Sequence, residues 1–200
     1  MLIKTFPVGD IQENCYLVID EDTKEAFLVD PGDEPDYLIK AINNSGADLK
    51  FILLTHGHFD HVGAVSKLKQ TYNVPHFINS KESDLMNGKS YVFGKMPEAD
   101  GFLEDGEIID FGTHKIKCIS TPGHSPGGMC FLLDNEHLFS GDTLFYLSVG
   151  RSDFQGGDAD TLISSIRRKL FILGDNVTVY PGHGPKSSIL TEKRGNPFVR

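Results

Sequence analysis

Four strand-like segments of this 200-residue chain end in the same way, and this repeated ending is the feature that most restricts its fold. Each segment is apolar, and each runs into a loop that contains glycine together with a histidine or an aspartate. The segments are "FILLTHGH", "IKCISTPGHS", "HLFSGDT" and "NVTVYPGHG". In open α/β sheets, binding sites lie at the carboxyl ends of strands, because loops can converge there without disturbing the core. The pattern therefore predicts a sheet-based fold with one polar site built from these strand ends.

Strand-like and helical patterns alternate along the rest of the chain. The first thirty residues contain three strand-like runs separated by polar turns, which predicts an antiparallel opening. Helices are predicted around residues 34–46, directly after the histidine cluster, and over residues 158–173. Residues 83–107 show no clear pattern. Two similar halves without a linker predict a layered α/β fold with mixed sheets, organised as a single domain over residues 1–200.

Composition and charge limit the classes of partner. A formal net charge of −9 argues against a nucleic-acid or anionic-membrane surface, because such partners are usually met by a basic excess. No apolar run reaches the roughly 18 residues that cross a bilayer, and the first residues lack a signal-peptide pattern, so we expect a cytoplasmic protein. Cys15, Cys118 and Cys130 lie in apolar runs without paired spacing, which predicts buried thiols and no disulfide.

The densest group of polar residues is "THGHFDH", residues 55–61. In an extended strand end, residues two apart point the same way, so His56 and His58 can bind one ion together. Asp60 and His61 fall at the turn into the next helix, where their side chains can face a neighbouring position. A cluster of this kind has few structural uses, and we interpret it as two pairs of metal ligands.

The three later strand ends supply the remaining candidate ligands. A catalytic zinc commonly uses three protein ligands and leaves a position for water. His124 can complete the first pair, and His183 can complete the second. Asp142 is then left as a carboxylate that can bridge two ions about 3.5–4 Å apart. Taken singly, each of these three residues is more typical of a turn, so the prediction depends on the whole set.

This series of motifs resembles the metallo-beta-lactamase superfamily from about Asp30 to His183. The resemblance implies an α/β (α+β) fold, a four-layer αββα sandwich of two mixed β-sheets with the metals at one edge. The zinc β-lactamases that carry Cys in place of Asp142 are disfavoured by that difference. The metal ligands implied are His56, His58, Asp60, His61, His124, Asp142 and His183.

Within the superfamily the chain is similar to glyoxalase II, the hydroxyacylglutathione hydrolase, in "GDTLF" (141–145) and "GRSDFQGGD" (150–158). Arg151 takes the place of a basic residue that touches the glutathione carboxylate in that family. Full-length glyoxalase II has a further C-terminal helical domain that binds glutathione, which residues 1–200 lack. The chain therefore resembles the compact, single-domain glyoxalase II-like proteins.

The expected activity is that of a dinuclear metal-dependent thioesterase. Two divalent metal ions per chain, zinc or alternatively iron or manganese, would lower the pKa of a bridging water to about 7 and polarise the thioester carbonyl. Asp60 and Asp142 are the expected catalytic carboxylates, and a thiolate leaving group needs little proton assistance. The partner would be a small-molecule thioester, with glutathione thioesters as candidates. The expected substrate contacts are Phe145, Tyr146, Arg151 and Phe154, with Lys186 or Lys193 as weaker candidates.

Two other functions stay open at this point. His56, His124 and Asp142 alone form the two-histidine, one-carboxylate set that binds mononuclear Fe(II), and persulfide dioxygenases of the superfamily resemble the chain in "GRSDFQ". The second is an inactive binding module on the same fold. Asp30 is interpreted as a partner of a histidine ligand or as a turn residue, whereas the other three histidines are expected to be structural: His76, His114 and His137.

Overall fold

The computed structural model describes residues 1–86 and 91–199. The chain forms two compact units, Met1–Phe102 and Leu103–Arg200. Each unit contains one six-stranded sheet with both parallel and antiparallel neighbours. The mixed α/β class predicted from the sequence is confirmed, and the single-domain organisation stays a prediction.

The sheet of the first unit follows the order of the chain, from β1 to β6. Its strands are β1 (Leu2–Val8), β2 (Glu13–Ile19), β3 (Glu25–Val29), β4 (Asp48–Leu53), β5 (His76–Ile78) and β6 (Gly101–Phe102). The first three are antiparallel, as predicted, and the others continue in parallel. The helices are α1 (Pro35–Ser45), α2 (Phe59–Val62), α3 (Val65–Tyr72) and α4 (Ser80–Met86).

The first helix shows how the sequence fixes the boundaries of an element. Pro35 occupies the first turn of α1, where a missing N–H costs nothing. Gly46 ends the helix with φ 67°, a left-handed conformation that glycine adopts readily. Leu38 and Ile42, one turn apart, are both buried and belong to the same apolar core as Ile52 of β4. The predicted helix is therefore confirmed.

The strands of the second unit are β7 (Ile108–Phe111), β8 (His114–Ser120), β9 (Met129–Leu133), β10 (His137–Gly141), β11 (Leu144–Phe145), β12 (Ser148–Val149), β13 (Thr178–Pro181) and β14 (Ser187–Ser188). The sheet has the order β14-β13-β10-β9-β8-β7, and β11 and β12 form a separate hairpin. The helices are α5 (Ala159–Ser165), which continues as a π-helical turn over Ile166–Leu170, and α6 (Ile189–Gly195).

The end of the chain forms β14 and α6, neither of which was predicted from the sequence. Ser188 caps the helix by accepting a hydrogen bond from the Thr191 N–H. Ile189 and Glu192 are buried. A helix of only seven residues gives a weak sequence signal, and here packing decides its conformation.

The three cysteines are buried, as predicted from the sequence. Cys15, Cys118 and Cys130 are buried free thiols. Burial raises the pKa of Cys118 to about 12 and that of Cys15 well above its usual range. Across residues 1–86 and 91–199, no helix combines the length and apolarity needed to span a bilayer.

Candidate metal centre

The first set of candidate ligands lies at the end of β4 and the start of α2, within the first unit. His56, His58 and His61 are at most 3% exposed. The His56 ring centroid lies 4.5 Å from that of His58 and 4.0 Å from that of His61. Asp60 Oδ2 lies 3.5 Å from His61 Nε2. The sequence therefore brings these four side chains together, with the predicted turn into a helix between them.

A buried carboxylate fixes the orientation of His61. Asp30 Oδ2 lies 2.9 Å from His61 Nδ1, so the ring donates this hydrogen bond and leaves Nε2 directed toward Asp60. Asp30 Oδ1 accepts a hydrogen bond from the Thr55 N–H at 2.7 Å. Thr55 Oγ1 donates to Asp30 and lies 3.0 Å from His56 Nδ1. The sequence left Asp30 either as a partner of a candidate histidine ligand or as a turn residue. These contacts support the first interpretation.

Two buried glutamates near this set were not predicted. Glu82 of α4 accepts a hydrogen bond from the Gly57 N–H at 2.9 Å and thus holds the turn between His56 and His58. Glu13 Oε1 lies 3.8 Å from His61 Nδ1. Glu13 begins a wholly buried strand, and a charged residue in that position is a signal that could have been noticed. Glu82 lies in a polar segment that gives no such signal.

The poorly patterned segment after α4 contacts the same turn. Gly94 donates a backbone hydrogen bond to Gly57, and Phe59 donates one to Val92, both at 2.9 Å. The Phe93 ring lies 5.1 Å from the ring of His58. Part of the region 83–107, for which the sequence predicted no role, therefore packs along the first set of ligands.

The second set lies in the second unit, at the ends of β8, β10 and β13. Asp142 Oδ2 lies 3.6 Å from His124 Nε2 and 3.7 Å from His183 Nε2. Both separations are longer than a hydrogen bond, and they place Asp142 Oδ2 within 4 Å of both histidines. The parallel pairing of β10 with β13 brings Asp142 and His183 to the same edge of the sheet. The predicted convergence of these loops is found within this unit.

The backbone around Arg151 orients His124. The Arg151 carbonyl oxygen accepts a hydrogen bond from His124 Nδ1 at 2.6 Å, which leaves Nε2 directed toward Asp142. Gly150 allows a close approach at this point, since a Cβ built there would lie 1.8 Å from the Asp142 carbonyl oxygen. A side chain at position 150 would therefore displace Asp142.

The four predicted substrate contacts all lie in the second unit. The Phe145 ring stands edge-on to His183, with centroids 6.2 Å apart. Tyr146 is 48% exposed. The Arg151 guanidinium lies 3.8 Å from the centre of the Phe154 ring. Of the four, Phe145 and Arg151 contact histidines of the second set, and the role of all four in substrate binding stays a prediction.

The weaker lysine candidates have other contacts. Lys186 Nζ lies 4.5 Å from the centre of the Tyr180 ring. Lys193 forms an ion pair with Asp175 at 2.6 Å. Each lysine therefore has a contact within its own unit that accounts for its position.

The three histidines expected to be structural also have such contacts. His76 Nδ1 lies 3.0 Å from Asp100 Oδ2, and His137 Nδ1 lies 3.3 Å from the Tyr180 hydroxyl. His114 pairs with the Asp134 carboxylate.

Comparison with known proteins gives the family. The model of the metallo-beta-lactamase superfamily matches residues 8–183. Hydroxyacylglutathione hydrolase GloC of Haemophilus influenzae is 41% identical over 210 residues, covering 100% of this chain and 98% of that protein. The structure of BLEG-1 B3 metallo-beta-lactamase is similar with a TM-score of 0.88 and 34% identity, covering 99% of each chain. The structure of TTHA1623 in a di-iron-bound form has a TM-score of 0.87 and 38% identity, covering 98% of this chain and 99% of that one.

These likenesses extend over nearly the whole chain, well beyond the histidine motif. They confirm the fold class and the family resemblance inferred from the sequence. They also confirm that the fold is one that binds metals. The chain belongs to the metallo-beta-lactamase superfamily.

Proposed function

We propose that the chain is a dinuclear metal-dependent thioester hydrolase of the hydroxyacylglutathione hydrolase type. The observation that carries the proposal is the position of Asp142 Oδ2, which lies 3.6 Å from His124 Nε2 and 3.7 Å from His183 Nε2. A carboxylate in this position can serve as a ligand shared by two metal ions. The 41% identity to GloC supports the choice of a thioester as the substrate class.

The donor atoms fit divalent metals. Metal–ligand bonds of about 2.0–2.1 Å place two ligands of a tetrahedral ion about 3.3 Å apart. The separations between His61 Nε2 and Asp60 Oδ2, 3.5 Å, and between Asp142 and its two histidines are slightly longer. Imidazole and carboxylate donors without a thiolate suit zinc, and they also suit iron and manganese. Zinc is the proposed metal.

The proposed assignment divides seven ligands between two ions. One ion would be held by His56, His58 and His124, and the other by Asp60, His61 and His183. Asp142 would contact both. The two sets lie in different units, and their joint action is proposed from the order of motifs that the chain shares with its family.

When bound, the metals would supply a Lewis acid for the thioester carbonyl and a water of pKa about 7. Asp60 would accept a hydrogen bond from that water and orient it. Asp30 would keep the His61 ring in the tautomer whose Nε2 is free of a proton. The thiol leaving group, with a pKa near 8.5, departs as a thiolate and needs no dedicated acid. Phe145, Tyr146, Arg151 and Phe154 would contact the substrate, and no nucleic acid or membrane is a proposed partner.

Elemental analysis together with a substrate panel tests the proposal. We expect about two metal ions per chain, cleavage of S-D-lactoylglutathione or a coenzyme A thioester, and loss of activity on chelation that metal restores. The panel also includes a penicillin, because one similar structure is named as a metallo-beta-lactamase. Metal-loaded protein that cleaves no thioester would contradict the proposal.

A second candidate function is an Fe(II) oxygenase acting on a persulfide. It is favoured by His56, His124 and Asp142, which form the ligand set of mononuclear Fe(II) sites. The similar structure with bound iron is a di-iron form, so it supports iron as a metal but not a single iron. One iron per chain with oxygen consumption on glutathione persulfide would support this function. Two zinc ions per chain without oxygen consumption would exclude it.

A further inference from the structure

The arginine predicted to bind a substrate carboxylate already binds a carboxylate of its own chain. Arg151 Nε donates to Asp153 Oδ1 and Arg151 Nη2 donates to Asp153 Oδ2, both at 2.7 Å. This two-point contact uses the side-on edge of the guanidinium, which is one of the two edges that can bind a carboxylate in this way. The Phe154 ring covers one face of the guanidinium at 3.8 Å. A carboxylate that approached this edge would therefore compete with Asp153.

Asp153 keeps its negative charge at neutral pH. The hydrogen bond from Arg151 is the main reason that the pKa of Asp153 is lowered to about 2. The two opposite charges largely cancel, so the pair attracts a second anion only weakly. The side chains are 57% and 68% exposed, and an exposed ion pair of this kind is weak enough to exchange partners.

The pair also lies on the segment that positions a predicted metal ligand. The carbonyl oxygen of Arg151 accepts the hydrogen bond from His124 Nδ1, so the residue that carries the guanidinium is adjacent to the second set of ligands. A thioester whose carbonyl reached that set would bring part of its acyl or thiol portion near Arg151.

We propose that Asp153 is a specificity-determining residue, which competes with a substrate carboxylate for Arg151 and thereby reduces the preference for thioesters of carboxylate-bearing thiols. Thioesters whose thiol portion is uncharged are not subject to this competition. The inference rests on the proposed thioester hydrolase function.

The test compares two lactoyl thioesters that differ in the thiol. S-D-lactoylglutathione carries carboxylates, whereas the lactoyl thioester of N-acetylcysteamine is uncharged. In metal-loaded Asp153→Asn we expect KM for the glutathione thioester to fall about two- to fivefold, the range for freeing an exposed ion pair. KM for the uncharged thioester should stay unchanged. In the Arg151→Gln background, Asp153→Asn should no longer lower KM, which separates competition for Arg151 from simple repulsion.

Asp110→Asn is the matched control. Asp110 is an exposed carboxylate of the same unit that pairs with Lys115 at 2.7 Å, so its removal makes the same change in net charge. It should leave both KM values unchanged. If wild type cleaves both thioesters and Asp153→Asn leaves their KM ratio unchanged, the specificity role of Asp153 is wrong. A fall in kcat on both substrates without a change in that ratio would instead assign Asp153 to loop structure. If wild type cleaves only coenzyme A thioesters, the specificity role of Asp153 is wrong but the proposed function stands. If it cleaves no thioester, both fail.

Discussion

Glu192 of α6 should stabilise the hairpin that carries two predicted substrate contacts. The carboxylate is 1% exposed. It accepts hydrogen bonds from the Leu147 N–H at 3.0 Å and from Asn196 Nδ2 at 2.8 Å, and a third from Ser187 Oγ. Leu147 has φ 52°, a left-handed conformation that costs a leucine about 1–3 kcal/mol. The helix thus holds a strained residue between β11 and β12.

The magnitude follows from the donors left without an acceptor. A hydrogen bond to a charged group contributes about 1.5–3 kcal/mol, and an unsatisfied buried donor costs about 1–3 kcal/mol. Ser187 and Leu147 are half-buried and can partly turn to water, whereas Asn196 is buried. Glu192→Leu should therefore lose about 3–5 kcal/mol, of which the apolar side chain restores about 1 kcal/mol. Glu192→Gln keeps one acceptor and should lose about 1–2 kcal/mol.

Urea unfolding of the full chain measures these losses, provided that the slope with denaturant is unchanged. We expect Glu192→Leu to lower the unfolding free energy by about 2–4 kcal/mol and to raise KM more than it lowers kcat. Glu136→Gln, at an exposed glutamate of the same unit, should change stability by less than about 0.5 kcal/mol. The reasoning would be refuted if Glu192→Leu were as stable as wild type. It would also be refuted if Glu192→Leu and Glu192→Gln lost the same free energy of unfolding.

Three further predictions concern the ligand sets and the core. Asp30→Asn places an amide donor against the Thr55 N–H or the His61 ring, and should weaken metal affinity about 10–100-fold in a chelator competition. Gly150→Ala should abolish thioester cleavage, because its Cβ would lie 1.8 Å from the Asp142 carbonyl oxygen. Burial, assisted by the charge of Lys69, lowers the pKa of His76 from 6.5. The unfolded chain then binds more protons, so this contribution to stability is full above about pH 6.5 and is lost at lower pH. The stability difference between wild type and His76→Gln should therefore shrink as the pH falls from 7.5 to 5.

Each of these has a defined contrary result. Undiminished metal affinity in Asp30→Asn would remove Asp30 from the ligand network. Gly174→Ala is the control for Gly150→Ala, because the nearest atom to its added Cβ is a side-chain oxygen at 3.2 Å. A pH-independent difference between wild type and His76→Gln would show that His76 titrates alike in the folded and unfolded chain.

Local sequence predicted the parts of the candidate site that depend on local geometry. The spacing of His56, His58 and His61 fixes their relation at one strand end, and apolar runs locate the other strand ends. Contacts between distant residues were not predictable in this way. Glu82 reaches Gly57 from 25 residues away, and Glu192 reaches Leu147 from 45 away. Asp153 is different, because it lies two residues from Arg151 and a charge pair at that spacing could have been considered.

Sequence patterns identified Asp30 near the candidate site but missed the other buried carboxylates of that region. Five acidic residues are buried in the described part of the chain, and desolvating a carboxylate is costly unless donors surround it. Asp20 caps a turn. Asp30, Glu82 and Glu192 accept backbone N–H groups in segments that carry site residues, and Glu13 lies 3.8 Å from His61. Apolar residues in their place would bury more surface, yet they could not accept the N–H groups of irregular loops. We therefore infer that Asp30, Glu82 and Glu192 hold the loops of the candidate site in place, and that Glu13 stabilises the His61 side chain. On this reasoning, apolar replacements at Glu13 or Glu82 should impair metal binding before they impair folding, which chelator competition and urea unfolding on the same variants would distinguish.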